Sequence, residues 1–403
     1  THYNTLQHTA THCICIRHSW GRHPSFSGAG GMNLKVTEDG SKAAIAVFRN
    51  VSINSRGDVL SKSSDCMGCQ FYVKGCFRED ALGNLRFPSS LAQYDEVISL
   101  ASRHHGFFHF FAEALIRIPM VKTMLISKPS AKVLVTRSLT VAKGQGANWK
   151  MPAGFWEVFQ LPVLTLLGVA SDRVVHTSLH ARMLYLPEPV SCFGQTPLGY
   201  QNLHTLLRAR ISVTTRPPTT CTIVVIDRSS RNATKQWRSS RVITNHHALV
   251  SALSSITGCQ VVEHHEGLTL IQQLAVFYNA NVVVGPHGAA LALLLACRKD
   301  TFVLEFHTAH GMTPLCFMHL ALSLQLNYQG RIVPKADHGK SMALPDDLIQ
   351  DAVEVVRAHV QPQISNVPTQ AQEHEGVSSS QQESEARANH SHGGKKEPKN
   401  DGG

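Results

Sequence analysis

The sequence predicts an α/β protein with parallel β-strands, and three observations support this prediction. Short apolar strands alternate with helical segments from Thr222 to Phe306, a pattern typical of βαβ units. Hydrophobic residues make up 43% of the chain and charged residues 16%, which excludes a fully disordered or fibrous protein. The length of 403 residues exceeds one ordinary core and favours two domains.

The first half of the chain contains both strand and helix patterns. A predicted hairpin begins at Ala44 and turns before Val59. Apolar residues then recur at helical spacing from Phe107 to Ile118, and Pro119 marks the expected end of that helix. Further predicted elements are strands at Lys132–Thr136, Asp172–His176 and Arg182–Leu186, and a helix at Gly154–Leu167.

The second half has the more regular alternation. Because parallel strands end at one edge of a sheet, ligands are expected at their carboxyl ends. An amphipathic helix is predicted last, over Leu344–Val360. The predicted strands are Thr222–Ile226, Cys259–Glu263, Val282–Val284 and Thr301–Phe306, and the helices between them are Arg241–Thr257, Leu268–Ala280 and Ala289–Cys297.

Composition and pattern together divide the chain into five regions. The last region lacks aromatic residues and is rich in Gln, Ser and Glu, so burial cannot offset the entropy of ordering it. We expect a stem or disordered leader at 1–32, an N-terminal α/β domain at 33–215, a C-terminal Rossmann-like domain at 216–342, a C-terminal helix at 343–360 and a disordered tail at 361–403.

The charge and the cysteine content of the chain indicate which classes of ligand to expect. The formal charge of +10 favours anionic ligands, but no stripe of basic and aromatic residues indicates nucleic acid. Cys66 and Cys69 have zinc-like spacing, yet no second Cys pair or His pair at zinc-finger spacing follows them. Local disulfides or plain thiols are therefore the favoured interpretation, and no metal site is expected.

A Gly-rich turn after a buried strand is the sharpest local feature. Gly285 and Gly288 flank His287, and a helix begins at Ala289. Glycines allow the backbone to approach a ligand, and a helix N-terminus favours phosphate oxygens. His287 would add a donor. Alternatively, the glycines serve only the tight connection and His287 caps the helix.

A basic segment follows the strand that ends at Ile226. It contains Arg228 and Arg231, with Arg241 further on. Because arginine forks bind phosphate bidentately, an arginine opposite Gly288 would complete a diphosphate clamp. The alternative is a solvated basic loop.

His109, Glu113 and Arg117 form a polar stripe on the predicted helix, because they are spaced by four residues. Either His109 or Glu113 has the chemistry of a general base for a hydroxyl group. The alternative is a simple ion-pair stripe. The chain has neither His-Glu-x-x-His nor Asp-x-Asp, which argues against a metal hydrolase.

Taken together, these motifs resemble glycosyltransferase family 61. The stretch from Phe108 to Arg117 is similar to the family's His-x-x-x-Glu-x-Leu-x-Arg helix. Arg228 and the segment from Arg241 to Asn245 resemble its paired-arginine and Asn segment. Its most recognisable signature is similar to Gly285-Pro-His-Gly-Ala-Ala-Leu291, followed by Glu305.

The resemblance implies a GT-B architecture, with two Rossmann-like domains facing a cleft, and an inverting transferase of the Golgi or endoplasmic reticulum lumen. Residues 33–215 would be the acceptor side and 216–342 the side of the nucleotide sugar. UDP-xylose, UDP-arabinose or UDP-N-acetylglucosamine would be the donor and a glycan or glycoprotein the acceptor, without a required metal. Glu113 or His109 would be the base, Arg117 a cleft residue, and the donor-binding residues Arg228, Arg231, Arg241, Asn245, Gly285, His287, Gly288, Ala289 and Glu305, the last toward ribose hydroxyls.

Two further expectations accompany the resemblance. The chain begins at Thr1 without a leader pattern, so a type II membrane anchor is expected to have been lost upstream. The chain departs from the family pattern at Ala290 to Leu293 and at His246. A non-catalytic protein that binds glycans or polyanions on the same fold therefore remains the alternative function.

Overall fold

Two β-sheets and the helices that cover them organise the chain. In the computed structural model, contacts between Cα atoms group residues 1–360, which include both sheets, into one unit and separate residues 361–403 from it. The structure describes residues 35–36, 44–55, 57, 59–61, 69–71, 89–102, 106–136, 156–187, 197–212, 220–228, 241–265, 267–310, 315–337 and 340–365. The expected leader at 1–32, Cys66, Arg231 and residues 366–403 of the expected tail lie outside these ranges.

The second sheet along the chain is entirely parallel. Its strand order is β10-β9-β11-β12-β13, so the chain adds β10 on one side of β9 and then crosses to the other side. The connections that leave β9 and β11 therefore run to opposite faces of the sheet. Open α/β sheets bind ligands between two such connections. The strands are β9 (Cys221–Ile226), β10 (Cys259–His264), β11 (Val282–Pro286), β12 (Phe302–His310) and β13 (Asn327–Asp337).

Helices connect these strands, as predicted. The connection from β11 to β12 is a 3-10 helix at Ala289–Ala296, whose residues from Leu291 to Ala296 are buried. The α-helices of this part are α5 (His246–Ser254), α6 (Leu270–Asn279), α7 (Cys316–Ser323) and α8 (Asp346–Ser365). The helix predicted to begin at Arg241 begins only at His246, because residues 241–245 form turns and a bridge to Met342.

The first sheet is mixed rather than parallel throughout. Its order is β4-β3-β2-β8-β5-β6-β7, with β1 beside β2. The pairs among β8, β5, β6 and β7 are parallel, while the described pairs of β1 to β4 and the β2–β8 pair are antiparallel. The strands are β1 (Lys35–Val36), β2 (Ala44–Ile53), β3 (Val59–Ser61), β4 (Cys69–Phe71), β5 (Ala92–Ser99), β6 (Lys132–Leu134), β7 (Val174–Val175) and β8 (Leu179–Pro187).

The first helical segment extends past its predicted end. It runs through α1 (Phe107–His109), a π-helical stretch (Phe110–Ala114), a 3-10 turn (Leu115–Arg117) and α2 (Ile118–Ser127). Pro119 was expected to end the helix, but it lies in the first turn of α2, where its missing N–H removes no helical hydrogen bond. A second helical stretch consists of a π-helical turn (Trp156–Gln160) and α3 (Leu161–Leu166).

The predictions missed helix α4 (Pro197–Ile211), which links the two sheets. From α4, His204 Nε2 donates to the carbonyl of Cys297 at 2.8 Å and Arg208 Nη1 to that of Ala296 at 3.2 Å. These bonds satisfy carbonyls at the end of the 3-10 helix. Buried residues of both sheets and of α4 belong to one hydrophobic core. Helix α4 therefore holds the end of the 3-10 helix that follows β11.

A disulfide joins the starts of β9 and β10, between Cys221 and Cys259, and the sequence did not predict it. It closes a loop of 38 residues that contains α5. Within the described residues, the thiols of Cys297 and Cys316 are buried. Among the described helices, none is both long and apolar enough to cross a membrane.

Replacing both Cys221 and Cys259 with serine is expected to lower the free energy of unfolding by about 4 kcal/mol, because the unfolded chain regains the entropy of a loop of 38 residues. Chemical denaturation with and without a reductant measures the difference. The loss should match that of the reduced wild type. An unchanged midpoint in both would show that the disulfide does not stabilise the fold.

Candidate functional site

The candidate site lies at the carboxyl ends of β9, β11 and β12, beside the crossover between β9 and β11. Arg228 follows β9 and Gly288 follows β11. A Cβ atom built on Gly288 would lie 1.6 Å from Arg228 Nη1, so the guanidinium group rests directly on the turn. The structure thus brings together two of the residues that the sequence predicted to form a clamp. Ala289 begins the 3-10 helix immediately afterwards.

Gly285 has a different role from Gly288. A Cβ atom on Gly285 would lie 2.7 Å from the Cβ atom of Ile226 on β9. This contact is between groups fixed by the sheet, since β9 and β11 are hydrogen-bonded neighbours. Gly285 therefore allows close packing at the end of the strand, whereas Gly288 leaves room for the arginine.

Glu305 is fully buried in β12 and both its carboxylate oxygens accept hydrogen bonds. His287 Nδ1 lies 2.5 Å from Oε1, and Tyr328 Oη donates to Oε2 at 2.8 Å. His307 Nε2 lies 2.9 Å from the same Tyr328 hydroxyl. Sheet register explains the grouping, because Glu305 is opposite Gly330 and Tyr328 lies two residues before it, on the same face. We call these four side chains the Glu305 network.

Burial controls the ionisation of two members of the Glu305 network. It lowers the pKa of His307, which favours the neutral imidazole. It also raises the pKa of Tyr328, and the neighbouring Glu305 carboxylate raises it further. Both groups are therefore neutral at physiological pH. The sequence did not single out His307 or Tyr328, and only the register between β12 and β13 reveals them.

Arg241 approaches the same region from the segment before α5. Burial lowers its pKa, while Cys316 and Glu305 act in the opposite direction, so both groups are near it. Its Nε atom is buried without a hydrogen-bond partner in the described residues, and its backbone has the unusual φ of 70°. An arginine held with an unsatisfied donor is suited to an anionic ligand.

Asn245 and His246 contact protein groups in the structure. The Asn245 side chain donates from Nδ2 to the carbonyl of Leu344 at 2.8 Å and accepts from the Leu344 amide at 2.9 Å. It thus fixes the chain ahead of α8. His246 Nε2 lies 2.9 Å from Glu263 Oε2 on β10. A role of Asn245 in donor binding stays a prediction.

The predicted polar stripe forms a second buried cluster. Glu113 accepts hydrogen bonds from Ser102 Oγ at 2.5 Å and from His109 Nδ1 at 2.8 Å. Arg117 is fully buried and donates from Nη1 to the carbonyl of Ala101 at 2.7 Å, and burial lowers its pKa to about 10. The exposed fraction of the side chain is 18% for His109 and 2% for Glu113, so solvent reaches mainly the imidazole.

The two clusters adjoin each other through aromatic side chains. The Phe108 ring lies 5.4 Å from His109 and 5.2 Å from Phe317, and Phe317 lies 5.1 Å from His287. Tyr200 of α4 is within electrostatic range of both Glu113 and Cys316. Burial raises the pKa of Cys316 to about 12, so its thiol is not a nucleophile at neutral pH. The His109–Glu113 cluster and the Glu305 network therefore lie in one region of the structure.

Among the residues that the structure describes, two groups of side chains have atoms close enough to hold a metal ion. One is His287, Glu305 and His307, and it is buried. The other is Asp227, His246 and Glu263, and it is partly exposed. Each supplies imidazole and carboxylate ligands, the donor set that zinc and manganese accept.

Comparisons with known proteins bear on this site. Residues 107–304 match the family model described as Glycosyltransferase 61. A comparison with curated proteins returns no match. Among solved structures, the chain is similar to an NADPH-quinone reductase from P. pentosaceus, at 9% identity and a TM-score of 0.21, over 37% of this chain and 99% of that one. It is also similar to a metal-soaked flavodiiron core from Synechocystis sp. PCC6803, at 8% identity and a TM-score of 0.26, over 57% of this chain and 56% of that one.

The residues matched by the family model include much of the candidate site. The matched range begins at Phe107, two residues before His109, and ends at Leu304, immediately before Glu305. It therefore contains the helix with the buried carboxylate, Arg228 and the turn at Gly288. The similarities to solved structures are too low to bear on function. Over residues 107–304, the chain matches glycosyltransferase family 61, which confirms the resemblance of its motifs to that family.

Proposed function

We propose that the protein is an inverting glycosyltransferase that moves a sugar from a UDP-sugar to a hydroxyl group of a glycan or glycoprotein. The single observation that carries the proposal is the packing of the Arg228 guanidinium on Gly288, at the crossover of a parallel sheet. Cationic donors and free amides at this position suit the two phosphates of a nucleotide sugar. The family match supports the same reaction class.

The diphosphate would be neutralised by side chains. Arg228, Arg241 and His287 supply charge-assisted donors, and the amides near Gly288 and Ala289 add to them. Arg231 is proposed as a further donor-binding residue because it follows Arg228 by three positions in the sequence. This set stabilises the leaving UDP in the way that a metal ion would otherwise do, and we therefore propose that turnover does not require a metal.

His109 is proposed as the base, with Glu113 as the residue that orients it. His109 is the more exposed of the two, and Glu113 already accepts two hydrogen bonds. His109 would take the proton of the acceptor hydroxyl while its oxygen attacks the anomeric carbon. The bond from that carbon to the phosphate oxygen breaks, and its electron pair leaves with UDP. One displacement of this kind inverts the anomeric configuration.

The architecture proposed for this reaction is GT-B, with residues 33–215 toward the acceptor and 216–342 toward the nucleotide sugar. Arg117 is proposed to stabilise the first sheet where it faces the cleft. We also propose that the protein works in the lumen of the Golgi or endoplasmic reticulum, held by an anchor outside this chain. The disulfide between Cys221 and Cys259 supports an oxidising compartment.

A donor screen tests the proposal. The full chain is incubated with UDP-xylose, UDP-arabinose and UDP-N-acetylglucosamine, each with a panel of glycan and glycopeptide acceptors, and UDP release is measured. We expect one donor to be consumed in an acceptor-dependent way, with an inverted anomeric centre in the product by NMR. A retained configuration would refute the single displacement.

The competing function is a non-catalytic binding protein on the same fold. The chain has Ala290, Ala292 and Leu293 at the start of its 3-10 helix, where the family pattern is more polar. Binding of UDP without release of UDP from any donor, in both wild type and His109→Gln, would favour this alternative.

A further inference from the structure

The hydrogen bonds of the Glu305 network run in one direction. The single proton of the Tyr328 hydroxyl is donated to Glu305 Oε2. The same hydroxyl must therefore accept from His307 Nε2, which lies 2.9 Å away and carries its proton there. An ionised carboxylate can only accept, so His287 Nδ1 also carries a proton toward Glu305 Oε1. Every donor in the network points, directly or through Tyr328, at Glu305.

This direction fixes the donor and acceptor roles of the ring nitrogens in the two histidines. A neutral His307 with its proton on Nε2 leaves Nδ1 unprotonated, and that atom is buried without a partner in the described residues. A second proton on His307 would be buried without an acceptor. In His287, Nδ1 is already committed to Glu305, and Nε2 has no hydrogen-bond partner among the described residues. This Nε2 is therefore the ring atom of His287 that is left for a ligand.

We propose that Tyr328 and His307 are positioning residues, which act through Glu305 to hold the His287 imidazole with its Nε2 atom directed at the diphosphate. This inference rests on the proposed function. It assigns Glu305 to the orientation of His287 rather than to the ribose hydroxyls. In a catalytic triad, a carboxylate fixes the tautomer and orientation of a histidine in the same way.

The distances favour a shared proton over a metal ion. His287 Nδ1 and Glu305 Oε1 are 2.5 Å apart. Two ligand atoms on a tetrahedral zinc ion, each about 2.1 Å from it, lie more than about 3 Å apart. Binding a metal through these two atoms would therefore require them to separate, whereas a charge-assisted hydrogen bond accounts for the contact as it stands.

Gly330 keeps the network intact by leaving space. A Cβ atom on Gly330 would lie 3.2 Å from the His307 ring and 3.4 Å from the Tyr328 hydroxyl. Gly330→Ala therefore crowds both positioning residues without removing a polar group. Tyr185→Phe is a matched control, because Tyr185 also donates to a glutamate, Glu96, at 2.9 Å, in the first sheet away from the site.

The test measures the proton of His287 and the affinity for UDP separately. Proton NMR of the full chain should show a strongly deshielded imidazole N–H resonance, assigned by its loss in His287→Gln. It should shift in Tyr328→Phe and Gly330→Ala, disappear in Glu305→Gln and stay unchanged in Tyr185→Phe. By calorimetry, UDP affinity should fall about 10-fold in Tyr328→Phe and about 100-fold in Glu305→Gln, the range of hydrogen bonds to charged groups.

Several results would overturn the inference. They are a wild type without the resonance, a stoichiometric metal ion in the purified protein, and an unchanged UDP affinity in folded Tyr328→Phe and Gly330→Ala. Circular dichroism establishes that each variant is folded. A wild type that shows the resonance, yet binds neither UDP nor a UDP-sugar, would refute the proposed function and leave the orientation of His287 by Glu305 intact.

Discussion

Gly288→Ala is expected to weaken UDP binding by about 100-fold while leaving the fold intact. The added Cβ would collide with Arg228 Nη1, the far end of a flexible side chain, so the guanidinium moves and the backbone does not. Gly288 has an extended φ of 172°, which alanine also adopts. The loss corresponds to one charge-assisted hydrogen bond of the clamp. Calorimetric titration with UDP measures it.

Two controls make this expectation specific. Gly285→Ala puts a Cβ against the fixed Cβ of Ile226, so overpacking should lower the free energy of unfolding by about 1–3 kcal/mol. Arg182→Ala removes one positive charge from an exposed ion pair with Asp95 in the first sheet and should leave UDP affinity unchanged. If Gly288→Ala binds UDP as well as the wild type does, Arg228 does not contact the diphosphate.

His109→Gln is expected to lower kcat by about 1,000-fold with little change in UDP affinity, because it removes the proposed base and none of the phosphate donors. Glu113→Gln should cost less, about 10- to 100-fold, because it disturbs only the orientation of the imidazole. His180→Gln, a histidine of the first sheet that contacts Ser52, should retain full activity. Steady-state kinetics with the donor found in the screen measure all three.

The variant with the larger loss of kcat identifies the base, His109 or Glu113. A larger loss in Glu113→Gln than in His109→Gln, with both proteins folded, would assign the base to Glu113. Ser102→Ala provides a further test of the same cluster, since it removes the 2.5 Å hydrogen bond to Glu113 Oε2 and leaves both proposed bases in place. Full activity in every one of these variants would exclude the cluster from the reaction.

Local patterns predicted the second sheet well, because each of its first four strands is a short apolar run such as Val282–Val284. The fifth, β13, was missed. It lies at the edge of the sheet and its residues are largely polar, with Pro334 inside it. Helix α4 was also missed, although its sequence has a helical pattern. Tyr200, Leu203 and Leu207 recur at helical spacing and are buried.

The site was predictable where its residues share one motif and unpredictable where register joins them. His109 and Glu113 are four residues apart on one helix, so sequence spacing indicated their contact. The packing of Arg228 on Gly288 followed from two neighbouring parallel strands. Tyr328 reaches Glu305 only because β12 and β13 pair with Glu305 opposite Gly330, and no local pattern encodes that register.

Titration of the full chain with UDP in the presence of EDTA tests the central claim most directly. The claim is that side chains at the crossover between β9 and β11 bind the diphosphate without a metal. It predicts micromolar binding with one site per chain in EDTA, unchanged on addition of manganese and lost in Arg228→Ala. Binding that appears only with manganese, or that persists in Arg228→Ala, would contradict the claim.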